Sequence, residues 1–244
     1  MKKLLFLFAV LNIQLIQAQL QDCSQCHIQN YSESDLEKNT LGEIQLLRNE
    51  IFARHGYIFK KQRLNEFFAE KNWYQPKEKS ITNISLNEIE SHNMTIFRSI
   101  EDKIKSYREN VIVALKEFQR AVTNHDEESL AVYLNDVVNE GETAANVEMM
   151  DRLFDHINLD HVHWHHDVGY YKATIDNGFK VQVYTLRITN EKTLISYNNQ
   201  SHSEIMEKPF TYPSDYYSEQ EHFIQWELKF ENGVVFLTNV MQAG

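Results

Sequence analysis

Cys23 and Cys26 are the only two cysteines of the 244-residue chain, and they frame the sequence CSQCH, with His27 directly after the second. That spacing supports three chemistries: attachment of haem c through two thioethers, zinc held by two thiolates and an imidazole, or a local disulfide. Haem needs a helical pocket around the ring, and zinc needs a fourth ligand from elsewhere. A Cys23–Cys26 disulfide needs only an oxidising compartment, so it is the reading adopted, with no cofactor assigned. A redox-active pair would have to open a helix in a thioredoxin-like βαβ setting, and the flanking sequence has no such pattern.

The densest group of titratable side chains is DHVHWHHD, Asp160 to Asp167. On a strand, His161, His163 and His165 would share one face and could offer imidazoles to zinc, copper or nickel. Side chains two apart on a strand stand parallel, about 6 to 7 Å from each other, which makes a poor tetrahedron. His156 or a second strand would have to complete such a site. The default is therefore a solvated or hydrogen-bonded sheet face, no metal ligand is assigned, and a metal-dependent hydrolase is the competing function. Glu140, Glu142, Asp151 and Asp155 add acids nearby, but no nucleophile and base pair, phosphate loop or nucleophile elbow accompanies them. No catalytic residue is assigned.

Upstream, helical spacing organises a second polar group. Thr40 and Glu43 form a capping box, and Leu41, Ile44, Leu47 and Ile51 follow on one face. Gly56 supplies the positive φ that ends such a helix, with Arg54 and His55 at the negative end of its dipole. Leu64, Phe67 and Phe68 line a second short helix, Trp73 and Tyr74 close a small core, and Pro76 blocks continuation. Arg54-His55-Gly56 is thus first a helix stop and the aromatics are packing. The functional alternative is a recognition surface built from Arg48, Glu50, Arg54, His55, Gly56, Tyr57, Trp73 and Tyr74, suited to an anionic group at the turn.

The phrase LRNEIFARHGYIF, with the aromatic helix and Trp73-Tyr74-Gln75-Pro76 behind it, resembles the YARHG domain over about residues 36 to 105. Phe52 stands where a tyrosine is usual. The resemblance implies a small module of exported bacterial proteins with no established chemistry.

Ser85 and Glu88 form a further capping box before a long helical pattern without glycine or proline from 77 to 140, with a break expected near Ser106 to Asn110. Such a helix would make a stiff junction rather than a flexible linker. Helices are expected over 111–122, 127–134 and 147–157, with Asn124-His125-Asp126 as a turn. Period-two alternation follows: Phe179, Val181 and Val183 against Lys180, Gln182 and Tyr184, then Ile224, Trp226, Leu228 and Phe230. Asn177-Gly178 and Asn232-Gly233 mark hairpin turns. The fold class is α+β, a small helical module followed by helices packed on a curved antiparallel sheet. The phrase VIVALKEFQRAVTNHDEESLAVYL and the closing IQWELKFENGVVFLTNV are similar to the nuclear-transport-factor-like (SnoaL-like) cone fold over about 110 to 242, a superfamily of hydrolases, isomerases and binding modules. Residues 196 to 221 form a long polar interruption carrying Tyr197, Phe210, Tyr212, Tyr216 and Tyr217.

Lys2 and Lys3 lead an apolar run to Leu11, and Ala18 stands at a cleavage point, so residues 1–18 are expected to be a signal peptide. The expected divisions are then a cysteine-containing segment 19–35, a YARHG-like domain 36–107 and a cone-like domain 108–244. Acidic residues number 35 against 24 basic ones, which argues against sequence-independent nucleic-acid binding. No later apolar stretch has membrane length. The expected protein is a periplasmic or secreted binding protein, contacting a protein or cell-envelope component, with a haem c carrier as the third alternative.

Overall fold

A computed structural model of the chain describes residues 19–134, 140–178, 180–201 and 222–243. The expected signal segment and Phe210, Tyr212, Tyr216 and Tyr217 lie outside the described residues. Two compact units divide the chain, the first ending at Glu101 and the second beginning at Asp102.

In the first unit, α1 (Leu41–Arg54) starts on the Thr40 capping box. Glu43 N–H donates to the Thr40 hydroxyl, and the Glu43 carboxylate accepts from Thr40 N–H at 2.8 Å. Ile44, Leu47 and Ile51 form its buried stripe. The helix ends in a Schellman turn: Gly56 N–H donates to Ala53 O at 2.8 Å and Tyr57 N–H to Phe52 O at 3.0 Å, with Gly56 at φ +80°. Glycine is required there twice over, because a Cβ would also lie 2.5 Å from Gln75 O. The chain returns to this turn, Lys77 and Glu78 N–H both donating to Gly56 O. Phe68 of α2 (Gln62–Ala69) is buried against Phe59, their rings 5.1 Å apart, and the Tyr74 hydroxyl donates to Tyr57 O at 2.7 Å.

The next helix, α3 (Glu88–Thr123), is capped by Asn87 rather than Ser85. Asn87 Oδ1 accepts from Glu90 N–H at 2.8 Å while Glu90 Oε2 accepts from Asn87 N–H at 2.9 Å, a reciprocal box two residues later than the sequence indicated. The helix runs through Ser106 to Asn110 without a break. Ser106, Glu109 and Asn110 are exposed while Tyr107, Arg108 and Val111 are half-buried or buried, so the helical period is never lost.

The second unit contains the rest of α3, α4 (Glu127–Leu134) and α5 (Glu140–Phe154), then six strands: β1 (His163–His165), β2 (Val168–Asp176), β3 (Lys180–Ile188), β4 (Thr193–Ser201), β5 (His222–Glu231) and β6 (Val234–Ala243). They form one antiparallel sheet in the order β1-β2-β3-β4-β5-β6, which is the α+β class expected. Asp126 links α3 to α4, its side chain accepting from Ser129 N–H at 3.2 Å. Asn232 and Gly233 both take positive φ, the primed turn that asparagine-glycine favours. The core joins Leu115, Phe118 and Val122 of α3 and Met150 and Leu153 of α5 to Leu186, Ile188, Ile195, Trp226, Leu228 and Leu237 of the sheet. Each such burial is worth roughly 1.5 to 3 kcal/mol before the entropy of ordering is subtracted.

Two strand expectations change. On β3 the inward face carries Gln182, Tyr184, Leu186 and Ile188, whereas Val181 and Val183 face outward. The buried phase becomes visible only when the window reaches Ile188. In β4 the strand continues through Tyr197 to Ser201, where a loop was expected; Ser196, Asn198 and Gln200 alternate with Tyr197 and the buried Asn199, so polar residues lie on both faces of its second half.

Candidate functional site

The polar residues of the first unit's turn are held in pairs. Arg54 Nε donates to Glu50 Oε1 at 2.9 Å, one helical turn away, and its guanidinium lies 4.3 Å from the Trp73 ring centroid. His55 Nε2 is 2.9 Å from Glu90 Oε1, whose other oxygen caps α3. Arg48 pairs with Glu101, a buried carboxylate. Glu50 and Gly56 are themselves buried. Of the eight residues singled out in sequence, Glu50, Arg54 and Trp73 meet directly, Tyr57 and Tyr74 share a hydrogen bond, and Arg48 makes its ion pair separately. The carboxylates that complete these pairs carry no sequence sign of that pairing: Glu90 has the signature of a capping box with Asn87, not of a partner for His55, and Glu101 has none.

Beside this turn lies a cavity of about 310 Å³ lined by Cys23, Cys26, His27, Ile51, Arg54, His55 and Glu90. Cys23 and Cys26 are joined with Cα atoms 5.0 Å apart and are both buried, while His27 is exposed. The two sulfurs are bonded to each other, and Arg54, His55 and Glu90 line the same cavity beside them. The structure gives the Cys23–Cys26 pair of CSQCH as a disulfide loop, the reading adopted from the sequence. Just upstream, Asp22 accepts from the side chain and backbone N–H of Ser24, which hold its carboxyl below the usual range.

In the second unit the histidines do not converge. His161 sits in a 3-10 turn, His163 and His165 are exposed on β1, and His166 is exposed in the turn after it. Among the described residues, no group of three or more His, Cys, Asp or Glu side chains is placed to hold a metal ion. The segment has a packing role instead. Trp164 lies against Gly169, where a Cβ would sit 3.1 Å from the indole, and the Arg108 guanidinium stacks over the ring, 4.6 Å from its centroid. Arg108 also donates to Asp167 Oδ1 at 3.4 Å, and burial lowers its pKa against the opposing pull of that carboxylate.

A groove of about 760 Å³ runs beside the C-terminal part of α3. Lys116, Gln119 and Arg120 of α3 form one wall, Asp155 to Asp160 another, and Tyr171 of β2 completes it. Lys116 pairs with Asp160. The His156 ring packs on Tyr184 at 4.3 Å, and Tyr184 lies 5.2 Å from Tyr197, whose hydroxyl accepts from Gln182 Nε2 at 2.8 Å. The His222 ring lies 6.4 Å from that of Tyr197, its Nε2 buried without a hydrogen-bond partner among the described residues. Burial, and then the Tyr197 neighbour, raises the Tyr184 hydroxyl above its ordinary pKa. The sequence signal for this aromatic row was the spacing of Tyr184 and Tyr197 on adjacent strands, masked by the inverted face of β3 and by reading β4 as a loop.

Residues 21–102 match the model of the YARHG domain. Neither a curated protein sequence nor a solved structure matches the chain. The match begins ahead of the cysteine pair, and Asn93 gives the physical reason: from α3 it bonds to the backbone at Cys26, Gln29 and Tyr31, so the segment around the disulfide packs as part of the module. No described helix is long and apolar enough to cross a membrane.

Proposed function

We propose that this protein is an exported binding protein without catalytic activity of its own, built from a disulfide-locked YARHG module and a cone-like ligand-binding domain of the nuclear-transport-factor-like type. The observation that carries the proposal is the groove beside α3, where Tyr171, His156 and planar polar side chains line one recess of about 760 Å³, within the ordinary range of small-molecule sites. The buried Cys23–Cys26 bond supports export, since such bonds persist in oxidising compartments. In this reading the turn residues Arg48, Glu50, Arg54, His55, Gly56, Tyr57, Trp73 and Tyr74 act chiefly by holding the module rigid. The exposed edges of Arg54 and His55 are left for a protein or cell-envelope partner.

The test is expression with the native leader, followed by cell fractionation, maleimide labelling of thiols and native mass spectrometry of the purified protein after incubation with a cell-envelope extract. The expected result is protein outside the cytoplasm, beginning near Gln19, unlabelled until reduced and carrying a bound component. Cytoplasmic protein with two reactive thiols would overturn export. Consumption of an envelope component would replace binding with catalysis.

A further inference from the structure

We infer that the groove beside α3 binds a neutral saccharide. The inference rests on the binding-protein reading and gives its ligand a chemical class.

The charges in the groove balance. Lys116 is engaged by Asp160, and the lining's other cation, Arg120, is matched in number by the acid Asp155. An anionic ligand would meet two carboxylates and a cationic ligand two basic groups, so a neutral molecule suffers least from either. An apolar ligand fits no better. Ile157 and Leu159, the aliphatic residues of the lining, are 3% and 4% exposed and belong to the core.

What the groove does offer is flat polar groups. Gln119 and Asn158 present amides and Arg120 a guanidinium, each with two polar atoms side by side, the spacing that vicinal hydroxyls of a pyranose ring match in pairs. Part of their capacity is spare: Gln119 donates from Nε2 to Phe154 O at 3.5 Å, and its carbonyl oxygen makes no hydrogen bond to a described residue. The guanidinium of Arg120 makes no hydrogen bond or ion pair with a described residue, and Asn158 uses its carbonyl oxygen on Asp160 N–H at 2.9 Å, leaving its NH2 donors to the groove. Flat apolar surface is also present. Tyr171 is half-buried in the lining, and the His156 ring is held in place by Tyr184 4.3 Å away. A sugar has the complementary character, hydroxyls around its edge and C–H groups on its faces, and amphipathic rings are suited to that combination.

The test is isotope-labelled NMR and calorimetry of the mature protein with chitotetraose, cellotetraose and maltotetraose, using dextran sulfate against plain dextran as the charge control. The expected result is binding of at least one neutral tetrasaccharide with a Kd of about 1 mM or tighter, with shifts centred on the Gln119, Arg120 and Asn158 side chains. Tyr171→Ala should weaken it tenfold or more. Arg120→Ala, at an exposed position that leaves the fold intact, should weaken it about threefold to tenfold, the range for one lost hydrogen-bonding group. Failure of every neutral saccharide at about 10 mM, or binding of dextran sulfate alone, would overturn the assignment. If another ligand from the envelope extract still bound, the binding-protein reading would survive that failure. Release of new reducing ends would overturn the non-catalytic reading while keeping the saccharide groove.

Discussion

Asn93 donates from its side-chain amide to the carbonyl of Cys26 at 2.9 Å, across 67 positions of sequence, and so ties the disulfide loop to α3. The same NH2 group donates to Gln29 O at 2.8 Å, while the Asn93 carbonyl accepts from Tyr31 N–H at 2.8 Å. The side chain is completely buried, so water cannot replace it. Although Asn93-Met94-Thr95 has the form of a glycosylation sequon, as Asn30, Asn83 and Asn199 do, its amide is already used in the fold.

Asn93→Ala should destabilise the first unit by roughly 2 to 4 kcal/mol, because three backbone groups lose their buried partner together. Urea unfolding measures this. Asn93→Asp keeps the size but turns a donor toward two carbonyls into an acceptor, so it should cost at least as much. An aspartate variant as stable as the parent would show that Asn93 only fills space.

Gly56 takes φ +80° and would place a Cβ 2.5 Å from Gln75 O. Left-handed backbone alone costs a non-glycine residue roughly 1 kcal/mol, and backbone carbonyls move only with their whole segment. Gly56→Ala should therefore cost more than 2 kcal/mol on the scale of a core mutation, read as a fall in Tm. Gly178 also has positive φ, but nothing lies near it, so Gly178→Ala should show only the smaller conformational cost.

Local chemistry was the legible part of this chain. The Thr40–Glu43 box, the Gly56 stop and the Asn232-Gly233 turn depend on neighbours within a few residues, and each stands where its pattern placed it. The α3 cap moved from Ser85 to Asn87: each residue has a glutamate three positions on, Glu88 and Glu90, and the reciprocal box that forms is the Asn87–Glu90 one. The partners of the turn were not legible. Glu90 lies 35 residues from His55 and Glu101 53 from Arg48, and a lone glutamate in a helix has the same appearance whether it is solvated or buried in an ion pair. The groove was missed for a related reason. It joins α3, the loop after α5 and β2, and the Tyr184 ring that backs its His156 depends on which face of β3 points inward.

Trp226 is fully buried and its indole N–H donates to Asn146 Oδ1 at 3.0 Å, joining β5 to α5. Trp226→Phe removes both that donor and part of the ring, and should cost roughly 2 to 4 kcal/mol. Trp226→Phe combined with Asn146→Ala separates the two contributions. If the hydrogen bond matters, the double variant should be less destabilised than the sum of the single ones.

Alkaline pH should loosen the second unit through its buried phenols. Burial raises both Tyr107 and Tyr184 above the ordinary tyrosine pKa of 10.0, and Tyr197 raises Tyr184 further. A phenol whose folded pKa exceeds its unfolded value contributes fully below the unfolded value, and its contribution is lost as pH rises through the folded one. Stability should accordingly hold up to about pH 10 and decline above it. The phenolate absorbance of the 12 tyrosines should rise in at least two steps, with Tyr184 in the last, at or just before unfolding. Tyr184→Phe should move the alkaline midpoint upward while leaving stability at neutral pH within about 1.5 kcal/mol of the parent, since the ring is kept and the hydroxyl alone is removed. A single absorbance step near pH 10 in protein that remains folded would show that these hydroxyls are solvated, and would remove the rigid aromatic support under His156 on which the groove depends.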